Sequence, residues 1–211
     1  DAMRRLGYRP HAVARALRTG RSATIGVIVS TLASFGNSRL LESIARAAAD
    51  RGLALTVVTV GADAEMPEAF ARLRDQGVDG AIVLNEASAL ARQQELPDGL
   101  RLTVIDTPPD DRFDVVESDH RAGAAAATRH LLSLGHPTVH HLAGPDTSYA
   151  ARAREEGWRQ ALADAGVPAP PVIRGDWSSA SGHRAGLALA RDPDVTAVFV
   201  ANDQMALGLL R

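Results

Sequence analysis

Short apolar runs rich in Val and Ile alternate with longer Ala/Leu/Arg stretches from residue 23 onward. The runs ATIGVIVS (23–30), LALTVVTV (53–60), DGAIVL (79–84), LTVID (102–106), FDVVES (113–118), TVHHLAG (138–144) and TAVFVAN (196–202) predict buried strands. Between most of them the spacing is helical: Leu40, Leu41, Ile44, Ala45 and Ala48 fall on one face of a helix over 37–51. Further helices are predicted over 64–76, 86–95, 120–134, 148–165, 178–191 and 203–211. Gly52, Gly77, Gly135 and Gly166 stand at helix ends, where C-caps favour glycine.

Strands that alternate with helices imply βαβ units, right-handed crossovers and parallel sheets. Both faces of such a sheet are covered, which explains strands that are apolar nearly throughout. Ligands of open parallel sheets sit beyond the carboxyl ends of the strands. That rule directs attention to the loops at 30–37, 61–64, 84–87, 106–112, 144–149, 175–178 and 201–203. The 211 residues suffice for one large α/β domain or two small ones.

Composition narrows the chemistry. With no cysteine, disulfides and Cys-ligated metals are excluded. No apolar run is long enough for a membrane span, and the N-terminal segment lacks the apolar stretch of a secretory signal, so a cytoplasmic protein is expected. No GxGxxG follows a strand, and there is no P-loop and no GxSxG elbow. The seven histidines show no metal spacing, and His140 and His141, adjacent in a strand, point to opposite faces. Neither a catalytic residue, nor a metal site, nor a cofactor is expected. The charge is uneven: residues 1–21 hold Arg4, Arg5, Arg9, Arg15, Arg18 and Arg21 against Asp1 alone, while the whole chain is −2. A basic arm on an acidic body is the footprint of an anionic partner such as nucleic acid.

Six segments, in order, resemble the LacI/GalR family of transcription regulators: LGYRPHAVARALRTGRSATIGVIVS, QGVDGAIVL, VESDHRAGAAAATRHLLSLGHPTVHHLAGP, AREEGWRQAL, GDWSSASGH and VFVANDQMALG. The resemblance covers essentially the whole chain. It implies an α/β fold of two Rossmann-like subdomains with parallel sheets, like the type I periplasmic binding proteins. Residues 1–21 would be the end of a DNA-binding headpiece and its hinge helix. Residues 22–136 would form the first effector-binding subdomain, with the crossing at Gly135-His136-Pro137, and 137–211 the second. The chain stops in the helix after VFVAND, so that second subdomain is expected to be incomplete.

By the resemblance, HAVARAL (11–17) is a hinge helix that enters the minor groove, with Leu17 as the wedge between base pairs and Arg15, Arg18 and Arg21 near phosphates. Alternatively, Leu17 packs on the core. The effector is expected to be a small sugar in the cleft between subdomains, since an aromatic face and directional polar groups suit sugars. Trp177 is the candidate stacking platform or else a lid. Arg154 matches a hydroxyl-binding arginine or is a solvated helix charge, and Asn202 matches a ligand amide beside the capping candidates Asp203 and Gln204. Leu32, Ala33 and Phe35 would line the apolar side, with Ser30 or Asn37 hydrogen-bonding. Asn37 is equally a candidate helix cap, and Asp119 accepts a hydroxyl or caps its helix. For Trp158, core packing is expected.

The resulting expectation is a DNA-binding transcriptional regulator, of the repressor kind, whose sugar effector allosterically controls operator binding. Its partners would be operator DNA, the sugar, and a second copy in a homodimer or tetramer, with no membrane. The alternative is a periplasmic-type sugar-binding protein without DNA function.

Overall fold

The alternation read from the sequence becomes two separate parallel sheets in the computed structural model, which describes residues 20–61 and 66–211. The segment expected to form the hinge and the DNA-contact candidates Arg15, Leu17 and Arg18 lie outside the described residues.

One unit runs to Ile105 and takes in Asp110–Val115. Its elements are β1 (Thr24–Val29), α1 (Phe35–Asp50), β2 (Ala54–Thr59), α2 (Met66–Asp75), β3 (Gly80–Leu84), α3 (Ala87–Arg92), β4 (Leu102–Ile105) and β5 (Asp114–Val116), with strand order β2-β1-β3-β4-β5. The most hydrophobic run, β1, pairs in parallel with both neighbours, Val27 lying opposite Val57 and Ile82. Val27, Ile28 and Val29 have no exposed surface. Because successive side chains leave a strand on opposite faces, Ile28 joins Phe70, Leu73, Val83 and Ala91 under α2 and α3. Val27, Val29 and Leu84 instead meet Leu40, Leu41 and Ile44 of α1. Each fully buried Leu or Phe contributes about 1.5–3 kcal/mol over an exposed one. Gly26 is required for this closeness, since a Cβ there would fall 2.6 Å from Leu73 Cδ1.

The start of the unit is tied down by a carboxylate. Asp79 accepts from Ser22 N at 2.7 Å, Ser22 Oγ at 3.1 Å and Ala23 N at 2.9 Å. Burial alone would raise its pKa, but these bonds more than offset it and leave the group below the ordinary carboxylate value.

The second unit comprises Asp106–Pro109 and Val116–Arg211. It contains α4 (His120–Ser133), β6 (His140–Ala143), α5 (Tyr149–Asp164), β7 (Ile173–Arg174), α6 (Ser179–Leu189), β8 (Val198–Val200) and α7 (Asp203–Leu209), with strand order β7-β6-β8. The boundary therefore differs from the one expected at 135–137. The helix before Gly135 belongs to the second unit because it packs against α5: a Cβ at Gly157 would lie 2.2 Å from Arg121 O and 3.1 Å from Ala124 Cβ. Small residues likewise let α6 and α7 touch, a Cβ at Gly208 falling 1.9 Å from Ser179 O. The strand β7 has no counterpart among the predicted runs. Its two residues pair with Leu142 and Ala143 of β6, too short a stretch to show a period.

His140 and His141 do diverge: His141 has no exposed surface, while His140 is only half-buried. His141 stacks on Phe199 at 4.8 Å between ring centroids and lies 5.2 Å from Trp158. Its Nδ1 donates to Phe199 O at 2.9 Å, since a carbonyl only accepts, and Nε2 is buried without a partner. Burial holds the imidazole below its ordinary value of 6.5. Below about pH 6.5 the unfolded chain takes up a proton at this residue that the folded chain refuses. Stability from this group is thus complete above that pH and falls on acidification toward the folded-state value. Urea unfolding at pH 7.5 and 5.5 should give a lower midpoint at the acid pH, with a smaller drop in His141→Phe. An equal drop in both proteins would remove His141 as the cause.

Candidate functional site

The carboxyl ends of the strands carry polar residues in both units, and each unit builds its own set. In the first, β1 runs out into Ser30–Ser34 and β3 into Asn85 and Glu86. Ser34 is the N-cap of α1, its Oγ accepting from Asn37 N at 3.5 Å. The cap lies three residues before Asn37, and the helix starts earlier than the apolar spacing indicated. Asn37 itself has no exposed surface. Its Nδ2 donates to Thr31 O at 2.9 Å and Glu86 Oε2 at 3.3 Å, and its Oδ1 accepts from Asn85 Nδ2. With the amide committed inward, Asn37 is neither the cap nor an open ligand group, which corrects both expectations. Leu32 and Phe35 are 43% and 58% exposed, and Ala33 is exposed beside them. Sequence reasoning passed over Glu86, whose carboxylate is held by Asn37 and, at 3.5 Å, by Ser30 Oγ.

In the second unit, three sequence candidates come together. Trp177 sits in the loop between β7 and α6 with φ +73°, a left-handed backbone that bulky residues seldom adopt. The loop is built from its own residues: Asp176 accepts from Ser178 N at 3.0 Å and from Ser178 Oγ, bonds that hold its carboxyl down at about 2. Ser178 in turn caps α6. The half-buried indole lies on Gly144, where a Cβ would fall 2.2 Å from the ring, and packs against Leu142, Ala201 and Met205. Its Nε1 is buried without a hydrogen-bond partner.

Asn202 donates from Nδ2 to Trp177 O at 3.0 Å, and its Oδ1 accepts from Met205 N at 2.9 Å. Asn202 is therefore the N-cap of α7, the role expected of Asp203 and Gln204, and at the same time a clamp on the Trp177 backbone. Arg154 projects from α5 with its guanidinium carbon 5.9 Å from the Trp177 ring centroid. That is within cation–π range. Arg154 Nη2 lies 3.3 Å from His120 Nδ1, and His120 Nε2 lies 2.9 Å from Asp106 Oδ1 but off the hydrogen-bond axis.

Asp119 stands apart from this group as an exposed N-cap of α4, accepting from Ala122 N at 2.8 Å. Trp158 is core, fully buried with Nε1 donating to Val139 O at 2.8 Å. Arg174 donates to Gly144 O at 3.2 Å and to Glu155 at 2.7 Å. Burial works to raise the pKa of Glu155, and the hydrogen bonds from Arg159 and Arg174 outweigh it. His120, Asp106 and Gly144 were not singled out from sequence, and the one available signal was a His at the first turn of a helix on a carboxyl-end loop.

An aromatic face with a cation beside it is a chemistry that suits a polyhydroxylated ring: C–H groups on the indole, hydroxyls on the directional group. Among the described residues no cluster of His, Asp and Glu is placed to hold a metal ion, and no helix is long and apolar enough to cross a membrane.

A family model described as periplasmic binding proteins and sugar binding domain of LacI family matches residues 22–211. The lactose operon repressor of Klebsiella pneumoniae is 35% identical over 99% of this chain and 60% of its own length. The ribose operon repressor of Escherichia coli is 30% identical over 99% of this chain and 65% of its own length. The chain thus spans about 60–65% of these curated relatives. Among solved structures, a lac repressor dimer bound to operator and the anti-inducer ONPF superposes with TM-score 0.81 at 30% identity, over 96% of this chain and 73% of that one. A CelR–cellobiose complex superposes with TM-score 0.76 at 29% identity, over 99% of this chain and 65% of that one.

Proposed function

Starting from a chain that belongs to the family of periplasmic binding proteins and LacI-type sugar-binding domains, we propose that it is the effector-sensing part of a cytoplasmic DNA-binding transcriptional repressor and has no enzymatic role. Its effector is a small sugar. The observation that carries this is the meeting of Trp177, Arg154 and Asn202 in one unit: an aromatic face with a guanidinium beside it, its backbone clamped by Asn202. In the first unit, Leu32, Ala33 and Phe35 stand exposed beyond the carboxyl end of β1. In the basic arm, Arg15 and Arg18 contact phosphates and Leu17 wedges between base pairs. Operator DNA read by a homodimer follows from the two-fold symmetry of such operators. Effector and operator affinities are coupled reciprocally, by about 1–3 kcal/mol.

The test is a mobility shift of the full-length protein on a palindromic operator, with and without ribose, lactose and cellobiose. At least one sugar should change operator affinity about 5- to 150-fold, and Trp177→Ala should abolish that response while leaving sugar-free DNA binding intact. A protein that retains no operator DNA, or one whose sugar response survives Trp177→Ala, would refute the assignment.

A further inference from the structure

We propose that His120, seated against Asp106, is the positioning residue that aims Arg154 over Trp177, so that the sugar platform is held by a three-residue relay rather than by Arg154 alone. The proposal rests on the sugar-binding reading of this site.

Arg154 carries only donors, so the His120 Nδ1 that lies 3.3 Å from Arg154 Nη2 must be an acceptor. A neutral imidazole that accepts at Nδ1 carries its proton on Nε2. That nitrogen is 2.9 Å from the Asp106 carboxylate, which favours a proton there. The tautomer is thus set by the arginine, and it places the Nε2 proton next to the negative charge of Asp106, a close electrostatic neighbour without hydrogen-bond alignment.

The acid is itself fixed. Asp106 has φ +56°, its N–H donates to Val116 O at 3.0 Å, and its Oδ1 accepts from Ser118 N at 3.3 Å. Side-chain exposures of 8% for His120 and 12% for Asp106 leave little room for either to turn away. Arg154, by contrast, is half-buried on a helix. A long guanidinium side chain loses several rotatable bonds' worth of freedom to stay in one pose, and the imidazole gives its Nη2 a directional contact. The ring attraction 5.9 Å away gives a face to lie on but no fixed direction.

The relay predicts which replacements at position 120 are tolerated. Glutamine offers an oxygen to Arg154 and turns its amide N–H side toward the Asp106 charge, so His120→Gln keeps the acceptor for Arg154 and the polarity that faces the acid. Leucine is similar in size and offers neither. Lysine places a cation beside the guanidinium and repels it.

Two measurements on the full-length protein decide the matter. The first uses no ligand: the indole N–H resonance of Trp177 in a 15N-correlated spectrum, assigned with Trp177→Phe. The second is calorimetry with ribose, lactose and cellobiose. His120→Leu and His120→Lys should shift the Trp177 resonance and weaken sugar binding about tenfold or more, the range of a lost charge-assisted hydrogen bond. His120→Gln should leave both near the parent, and equal thermal midpoints show that the fold is kept. A Trp177 resonance unmoved in His120→Leu, or no rescue by Gln, overturns the relay. If no sugar binds the parent, the sugar reading fails, and the indole resonance still decides whether His120 positions Arg154.

Discussion

Trp158→Ala should destabilise the second unit by about 3–5 kcal/mol, a large share of the 5–15 kcal/mol that holds a typical domain folded. The indole has no exposed surface and packs with Val139, Leu162 and Ala197. Three losses coincide when it is removed. The apolar transfer energy of a large aromatic goes, with a cavity left behind because α5 and β6 cannot collapse on it. Val139 O loses its donor at 2.8 Å in a dry setting. His141 loses the ring 5.2 Å away, leaving its unpartnered Nε2 beside a void that water can enter. Trp158→Phe separates these terms, since it keeps most of the area and gives up only the N–H, and should cost clearly less than Ala. Urea titrations of the two variants read the difference directly. An Ala variant within about 1 kcal/mol of the parent would show that this cluster does not hold the unit together.

Much of this architecture was legible because parallel sheets write themselves plainly. The Val/Ile runs of β1 and β3 are apolar on both faces because both faces are covered, and each predicted helix forms within a few residues of its expected span. The four glycines assigned to helix ends, Gly52, Gly77, Gly135 and Gly166, all take positive φ. What sequence hid has specific causes. The strand β7 is two residues long and carries no period. The division between units follows tertiary packing of α4 on α5, which Gly157 permits and no local pattern announces. Asn37 looked like a rim amide because its neighbours are loop residues, yet its amide is used up by Thr31, Asn85 and Glu86, two of them about 50 positions away. Trp177, Arg154 and Asn202 were legible one at a time as candidates through their motifs, whereas the contacts that join them were not. Asp106 and His120 reach Arg154 from segments with no shared motif, and Gly144 reads as a strand-end glycine until the indole is found lying on it.

Gly144→Ala should therefore weaken sugar binding about as much as Trp177→Ala does, roughly tenfold to a hundredfold for a displaced aromatic face, although the substitution adds one methyl and removes no polar group. The new Cβ would stand 2.2, 2.3 and 2.6 Å from three atoms of the Trp177 ring, far inside the 3.5–4.0 Å at which carbons rest. The backbone has little freedom to yield. Gly144 O is held by Arg174, which Glu155 anchors, and Trp177 O is held by Asn202, which is locked in turn by capping α7. What gives way is the indole, and when it swings off Gly144 it leaves both the shelf on which a sugar would rest and the guanidinium of Arg154. If the methyl acts only by moving the ring, it has nothing to move once the ring is gone, so Gly144→Ala added to Trp177→Ala should cost no further affinity. It should also be tolerated better in that background, since the clash that strains the single variant is absent. Calorimetric affinities and unfolding midpoints for the two single variants and the double variant complete the cycle. Losses that simply add would mean that Gly144 and Trp177 act on the ligand separately, and that the shelf is not the platform it is taken to be.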